Sequence, residues 1–227
     1  MKTTTSNLIR WAGLPAVVGG LIFAARIHPP DTLASVTTSE WFIVHAVGVA
    51  MCFLIMVGIA GIYARQAKEA GWLGLAGLIL LEVMWMLTAA FQFAEALILP
   101  LLATEAPSFV EGFVGISSGA TSGANVGALP TVFSIASVFY LLGGVLLGTA
   151  TFRARVLPRL AGAALAVGTV APIAFSLLPH EFIRVAAVPF GLALAWLGYA
   201  LWSGPSTRAS RAAPAQRGVQ LSQAAAE

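Results

Sequence analysis

The sequence holds a single cysteine and very little charge. One thiol, Cys52, excludes an intramolecular disulfide, a cysteine-based metal site and a CxxC redox pair. Inside an apolar run it reads as a small core residue. Only 9% of the 227 residues are Asp, Glu, Lys or Arg, against 59% that are hydrophobic. A soluble domain carries about 25% charged residues, because its surface must face water. A chain this poor in charge needs lipid around most of its surface, which makes it a polytopic membrane protein. Also missing are a nucleotide-binding loop, a Ser-His-Asp order, an HxxxH or HExxH metal motif and any nucleic-acid signature. The expectation is therefore no metal, no cofactor and no nucleic-acid partner.

Six apolar runs are present, at 8–27, 41–63, 72–99, 131–152, 160–178 and 182–202. Most approach the ~20 residues that cross a ~30 Å hydrocarbon core at a 1.5 Å rise. The breaks have local causes. "HPPDT" at 28–32 cannot continue a helix, and Pro100, Pro130, Pro158 and Pro179 sit at or beside run ends. The third run exceeds the required length, so it is expected to tilt or project. The first is longer than a signal-peptide apolar region and lacks a small-x-small cleavage site before "RIHPPD". It reads as a retained helix.

Charge sets the expected orientation. Of twelve Lys and Arg, ten share one side if the N-terminus is cytoplasmic: Lys2, Arg10, Arg65, Lys68, Arg153, Arg155, Arg159, Arg208, Arg211 and Arg217. Only Arg26 and Arg184 fall on the other. This positive-inside pattern predicts an all-α bundle of six spans over 1–203, with both termini cytoplasmic. The tail at 204–227 has little to bury and is expected to be disordered, its three arginines suited to anionic headgroups. The connection at 103–130 is expected outside. It is rich in Gly, Ser and Ala but carries Phe109, Val110, Phe113, Val114 and Ile116. Those residues suit a short surface helix or lid; a floppy connector is the alternative.

The stretch at 80–99, "LLEVMWMLTAAFQFAEALIL", puts two carboxylates in an apolar run. Entering near Trp72, Glu82 lies ten residues in, or ~15 Å, close to the bilayer midplane. Glu95 lies ~35 Å in, at the outer interface, where hydration is cheap. A midplane carboxylate costs about 2.5–3.5 kcal/mol, so Glu82 should be paired, solvated or protonated. No Lys or Arg sits at its depth, which leaves Tyr140, Thr169 and Cys52 as candidate hydrogen-bond partners. Glu82 with Tyr140 is the candidate catalytic pair. The bland alternative is interhelical glue.

Toward the outer side Trp85, Thr88, Gln92 and Glu95 form a helical stripe. At a similar level lie His45, Ser134, Ser137 and Ser176. Arg26, His28, Asp31 and Glu40 flank the first outer loop, and His180, Glu181 and Arg184 the last. Together they suggest a polar vestibule, with Trp85, Gln92, Glu95, His45 and Thr169 as candidate ligand-binding residues. His45, His180 and Glu95 have the chemistry to ligate a metal but share no spacing motif, and hydrogen-bonded interfacial histidines are the expected reading. Trp85 and Trp196 lie deep enough to line a cavity, though plain packing explains them as well.

Three functions fit. The first is binding of a lipophilic small molecule, or of a membrane partner subunit, through the bundle and vestibule. The second is an intramembrane acid–base enzyme, a cyclase or isomerase on a lipid or isoprenoid, with Glu82 as the acid and Trp85 beside a cationic intermediate. The third is a proton-coupled transporter, which the lack of a clear repeat disfavours.

"RARVLPRLAG", an apolar helix, "VPFGLALAWLGYALW" and the junction "GIAGIYARQAKEAGWLGLAG" together resemble a broad set of uncharacterised six-helix bacterial integral membrane proteins. That resemblance implies a six-helix fold in a bacterial inner membrane. It brings no catalytic residues with it.

Overall fold

The computed structural model describes residues 5–25, 28–118, 124–176 and 186–204. Among them every regular element is helical. The first apolar run forms α1 (Thr5–Trp11) and α2 (Gly13–Ala25). A linker follows, closed by the single-turn α3 (Leu33–Val36), which Thr32 caps by accepting from the Ser35 N–H at 3.3 Å. The Thr38 hydroxyl then caps α4 (Ser39–Phe93), accepting from the Trp41 N–H. These two hydroxyls satisfy amides that have no partner in the first turn of a helix.

Helix α4 is a hairpin. Gln66 (φ −127°) and Gly71 (φ +54°) leave helical geometry, and the chain reverses between them. Only Gly71 needs the left-handed region, which a Cβ disfavours. Past the turn, Gly74 lies against Tyr63. Farther out Gly48 lies against Gln92, and the Trp41 indole N–H donates to the Glu95 carbonyl at 2.8 Å. The two arms are therefore antiparallel along their whole length. The third apolar run forms the second arm. The run passes through a π-helical turn at Ala94–Ile98 before the short α5 (Leu99–Leu102), whose Pro100 has no N–H to give the preceding turn.

The remaining elements are α6 (Pro107–Ser118), α7 (Leu129–Ala154), α8 (Arg159–Ser176) and α9 (Val188–Ser203). Helix α6 lies within the long connection and packs Val110, Phe113 and Val114 with Trp41, Val36 and Leu99. Helix α7 packs most extensively on α4, and α9 on α2. Small residues set that spacing: a Cβ on Gly77 would meet the backbone of Leu147, and one on Gly143 the Leu81 backbone N at 2.9 Å.

Three stretches, Thr5–Ala25, Ser39–Leu102 and Leu129–Ala154, are long and apolar enough to cross a membrane; Arg159–Ile173 and Val188–Ser203 are shorter apolar helices. The bundle has two unlike ends. Arg10, Arg65, Lys68, Arg153, Arg155 and Arg159 are exposed at the end holding the turn at 66–71, called here the basic end. His28 and His45 lie at the opposite, histidine end.

Candidate functional site

Two polar clusters occupy different levels of the bundle. The deeper one surrounds Glu82. Because Leu81 packs on Gly143, Glu82 and Trp85 stand at the level of Tyr140, one turn earlier on α7. Phe190 of α9 joins them, 5.1 Å from the Tyr140 ring and 6.1 Å from Trp85 between centroids. Phe23 of α2 meets Trp85 edge-on at 5.3 Å and Phe190 at 5.6 Å. Edge-to-face contacts of this kind contribute roughly 0.5–1.5 kcal/mol each beyond simple burial.

Within this aromatic wall three buried polar atoms have no hydrogen-bond partner among the described residues: Glu82 Oε1, Trp85 Nε1 and Tyr140 Oη. The sequence suggested that Tyr140, Thr169 or Cys52 would satisfy Glu82. None of these bonds forms. The Thr169 hydroxyl donates instead to the Leu165 carbonyl, one turn back on α8, while its side chain fills the space over Gly144. Cys52 is buried in the apolar core. A buried polar group without a partner costs about 1–3 kcal/mol, so three at one level is an unusual concentration.

The second cluster lies at the histidine end and is tightly connected. His45, fully buried, directs Nδ1 to the Trp41 carbonyl at 2.7 Å. Its Nε2 stands 3.1 Å from His28 Nε2 and 3.5 Å from Glu95 Oε2. His28 Nδ1 is 2.7 Å from the Pro29 carbonyl and 3.5 Å from Asp31 Oδ1. The Trp41 ring lies over His45, centroids 4.1 Å apart and 31° from parallel. Glu95 is thus not the hydrated rim residue that depth arithmetic suggests: its side chain is only 14% exposed and faces a buried imidazole. The π-turn supplies the reason, since the extra residue re-aims the side chain inward. Gln92, also buried, covers Gly48 one turn deeper.

Other expected vestibule residues do not join. Ser134 and Ser137 are exposed and donate to their own helix carbonyls, Pro130 and Phe133. Thr88 donates back to Met84, Glu40 is exposed, and Trp196 faces outward from the bundle. Arg26, His180, Glu181 and Arg184 lie outside the described residues, as does the side chain of Ser176. Among the described residues no group of three or more His, Cys, Asp and Glu side chains is arranged to hold a metal ion.

Sequence reasoning missed the pairing of His28 with His45. It also missed Phe23 and Phe190 as walls of the deeper cluster. Hairpin symmetry was the available signal for the first: reflecting Glu95 across a turn centred on Lys68 and Glu69 lands one helical turn from His45. Comparison with known proteins adds nothing to these two clusters, for no family model, curated protein or solved structure matches the chain.

Proposed function

We propose that the chain is a six-span protein of a bacterial inner membrane, both termini cytoplasmic, that holds a lipophilic small molecule at Glu82, Trp85 and Tyr140. Membrane residence is supported by large exposed apolar side chains on several helices, among them Phe53, Met86, Val138, Val167 and Leu192. The crowding of Arg and Lys at the basic end supports a cytoplasmic location for that end.

The observation that carries the ligand reading is the set of three partnerless buried atoms inside an aromatic wall. An indole N–H only donates, so whatever meets Trp85 must present an acceptor. Phe23, Phe190 and the Tyr140 ring supply apolar contact around that acceptor. The occupant that suits both is an apolar molecule with an oxygen-bearing head, a composition common among membrane lipids and isoprenoids. A partner subunit would instead cover the bundle surface and leave these atoms as they are.

Glu82 also favours a second reading, acid–base chemistry on such a molecule. A neutral Glu82 would protonate the bound lipophile, and the Trp85 face would stabilise the resulting cation. Binding comes first in either case.

The test is native mass spectrometry of the protein extracted gently from its membrane. The expected result is a stoichiometric lipophile on the wild type that is lost from Glu82→Met and from Trp85→Phe. A wild type carrying no lipophile would overturn the proposal. So would variants that retain it unchanged.

A further inference from the structure

The two histidines at the far end carry a proton count that follows from their contacts. A backbone carbonyl only accepts, so the ring nitrogen facing it must carry hydrogen. His45 Nδ1 faces the Trp41 carbonyl and His28 Nδ1 the Pro29 carbonyl, each at 2.7 Å. Both Nδ1 atoms are therefore N–H groups. If both rings were neutral, their Nε2 atoms would meet lone pair to lone pair. They stand 3.1 Å apart, the length of an N–H···N hydrogen bond. One Nε2 must then carry a hydrogen as well, and the pair holds one imidazolium charge.

The surroundings match that charge. Glu95 Oε2 lies 3.5 Å from the His45 side of the bridge, and Asp31 Oδ1 3.5 Å from the His28 side. The Trp41 ring, tilted 31° from the His45 ring and 4.1 Å away, offers a π face to the cation. Its indole N–H fixes the π-turn that aims Glu95, through the Glu95 carbonyl. Among the described residues the neighbouring elements add no further charge at close range. Helix α2 contains no ionisable side chain, the one on α9 is the exposed Tyr199 near its C-terminal end, and Glu40, Glu105 and Glu111 at this end are exposed. On α7 the nearest such group is Tyr140, at the deeper cluster.

We propose that His28 and His45 form a proton-binding site, and that the shared proton fastens the linker after α2 to the α4 hairpin. Two apolar contacts run beside it: the His28 ring meets Trp41 edge-on at 5.7 Å, and Val36 of α3 packs against Trp41. With the proton in place, an N–H···N bridge closes the histidine end. Without it the same two atoms repel and His28 leaves its place beside His45, while Val36 still holds α3 against Trp41. The sign is fixed: acid closes the latch and alkali releases it. This proposal is independent of the lipophile reading, because it uses none of Glu82, Trp85 or Tyr140.

The chain has only three histidines, which makes the test direct. The full-length protein is labelled with ¹⁵N-histidine in lipid nanodiscs, and a His180→Gln variant removes the third set of signals. NMR spectra are taken from about pH 5 to about pH 9, the range in which imidazoles exchange protons. The expected result is a ¹⁵N–¹⁵N coupling between the two Nε2 atoms, with both Nδ1 atoms protonated. That coupling disappears as the pH rises. His28→Gln should show no such coupling at any pH, which tests the bridge even if His45 variants fail to fold. Two rings that titrate independently with no coupling at any pH would overturn the proposal. A stoichiometric metal ion on the purified protein, whose removal frees both Nε2 atoms, would overturn it too.

Discussion

Glu82 and Glu95 ride on one continuous stretch of helix, yet their surroundings differ in kind. Around Glu95 the polar groups face one another: Trp41 serves both His45 and the Glu95 carbonyl, His45 serves His28, and the Glu95 carboxylate stands 3.5 Å from His45. Around Glu82 the side chains converge without answering each other, and three polar atoms stay unsatisfied among the described residues. A cluster that satisfies itself stabilises the protein in its own right. One that does not is shaped for something else. On the function proposed above, the difference separates a structural fastening from a binding site, although the bare sequence presents both as a glutamate in an apolar run.

The largest expected effect breaks the satisfied side. His45→Leu strands Glu95 and His28 around an apolar side chain, and removing one partner of a buried charged pair costs about 3–5 kcal/mol. Chemical unfolding in detergent should show a loss near the low end of that range, since Glu95 keeps some exposure. Next comes the scaffold that holds the deeper cluster at its level. Gly77→Ala drives a Cβ into the Leu147 backbone and is expected to destabilise by about 1–3 kcal/mol in the same assay.

Glu82→Met, by contrast, should leave the lipid-stripped protein within about 1 kcal/mol of wild type, or raise its stability. It replaces an unsatisfied carboxyl group by apolar volume. A loss as large as that of His45→Leu would mean Glu82 has a partner and the comparison fails. Smallest of all, Tyr140→Phe removes a hydroxyl that bonds to nothing described, and its cost should stay under about 0.5 kcal/mol while lipophile retention falls.

Helices were legible because a long apolar run must satisfy its own backbone wherever water is scarce, so one bounded by prolines has few alternatives. Depth was legible too, through the 1.5 Å rise, and it placed Glu82 mid-bundle at the level of Tyr140. What failed was the assumption that depth alone decides environment. Glu95 sits near a helix end, yet a π-turn points it inward, and nothing in "FAEALILP" announces that turn except the following Pro100. His28 belongs to a linker whose path depends on two threonine caps, Thr32 and Thr38. Thr169 was a reasonable partner for Glu82 until its hydroxyl found the carbonyl four residues back, an option every helical threonine has. Phe23 and Phe190 carried no signal at all, because phenylalanine in an apolar run is unremarkable until the fold brings it to a carboxyl group.

The central claim is that Glu82, Trp85 and Tyr140 await an oxygen-bearing lipophile. It is tested most directly by the melting temperature of lipid-stripped protein before and after native lipid extract is added back. A ligand at a hundred times its Kd stabilises by about 2.7 kcal/mol. The account predicts a clear upward shift for the wild type and none for Glu82→Met. Equal shifts in both proteins, or no shift in either, would contradict it.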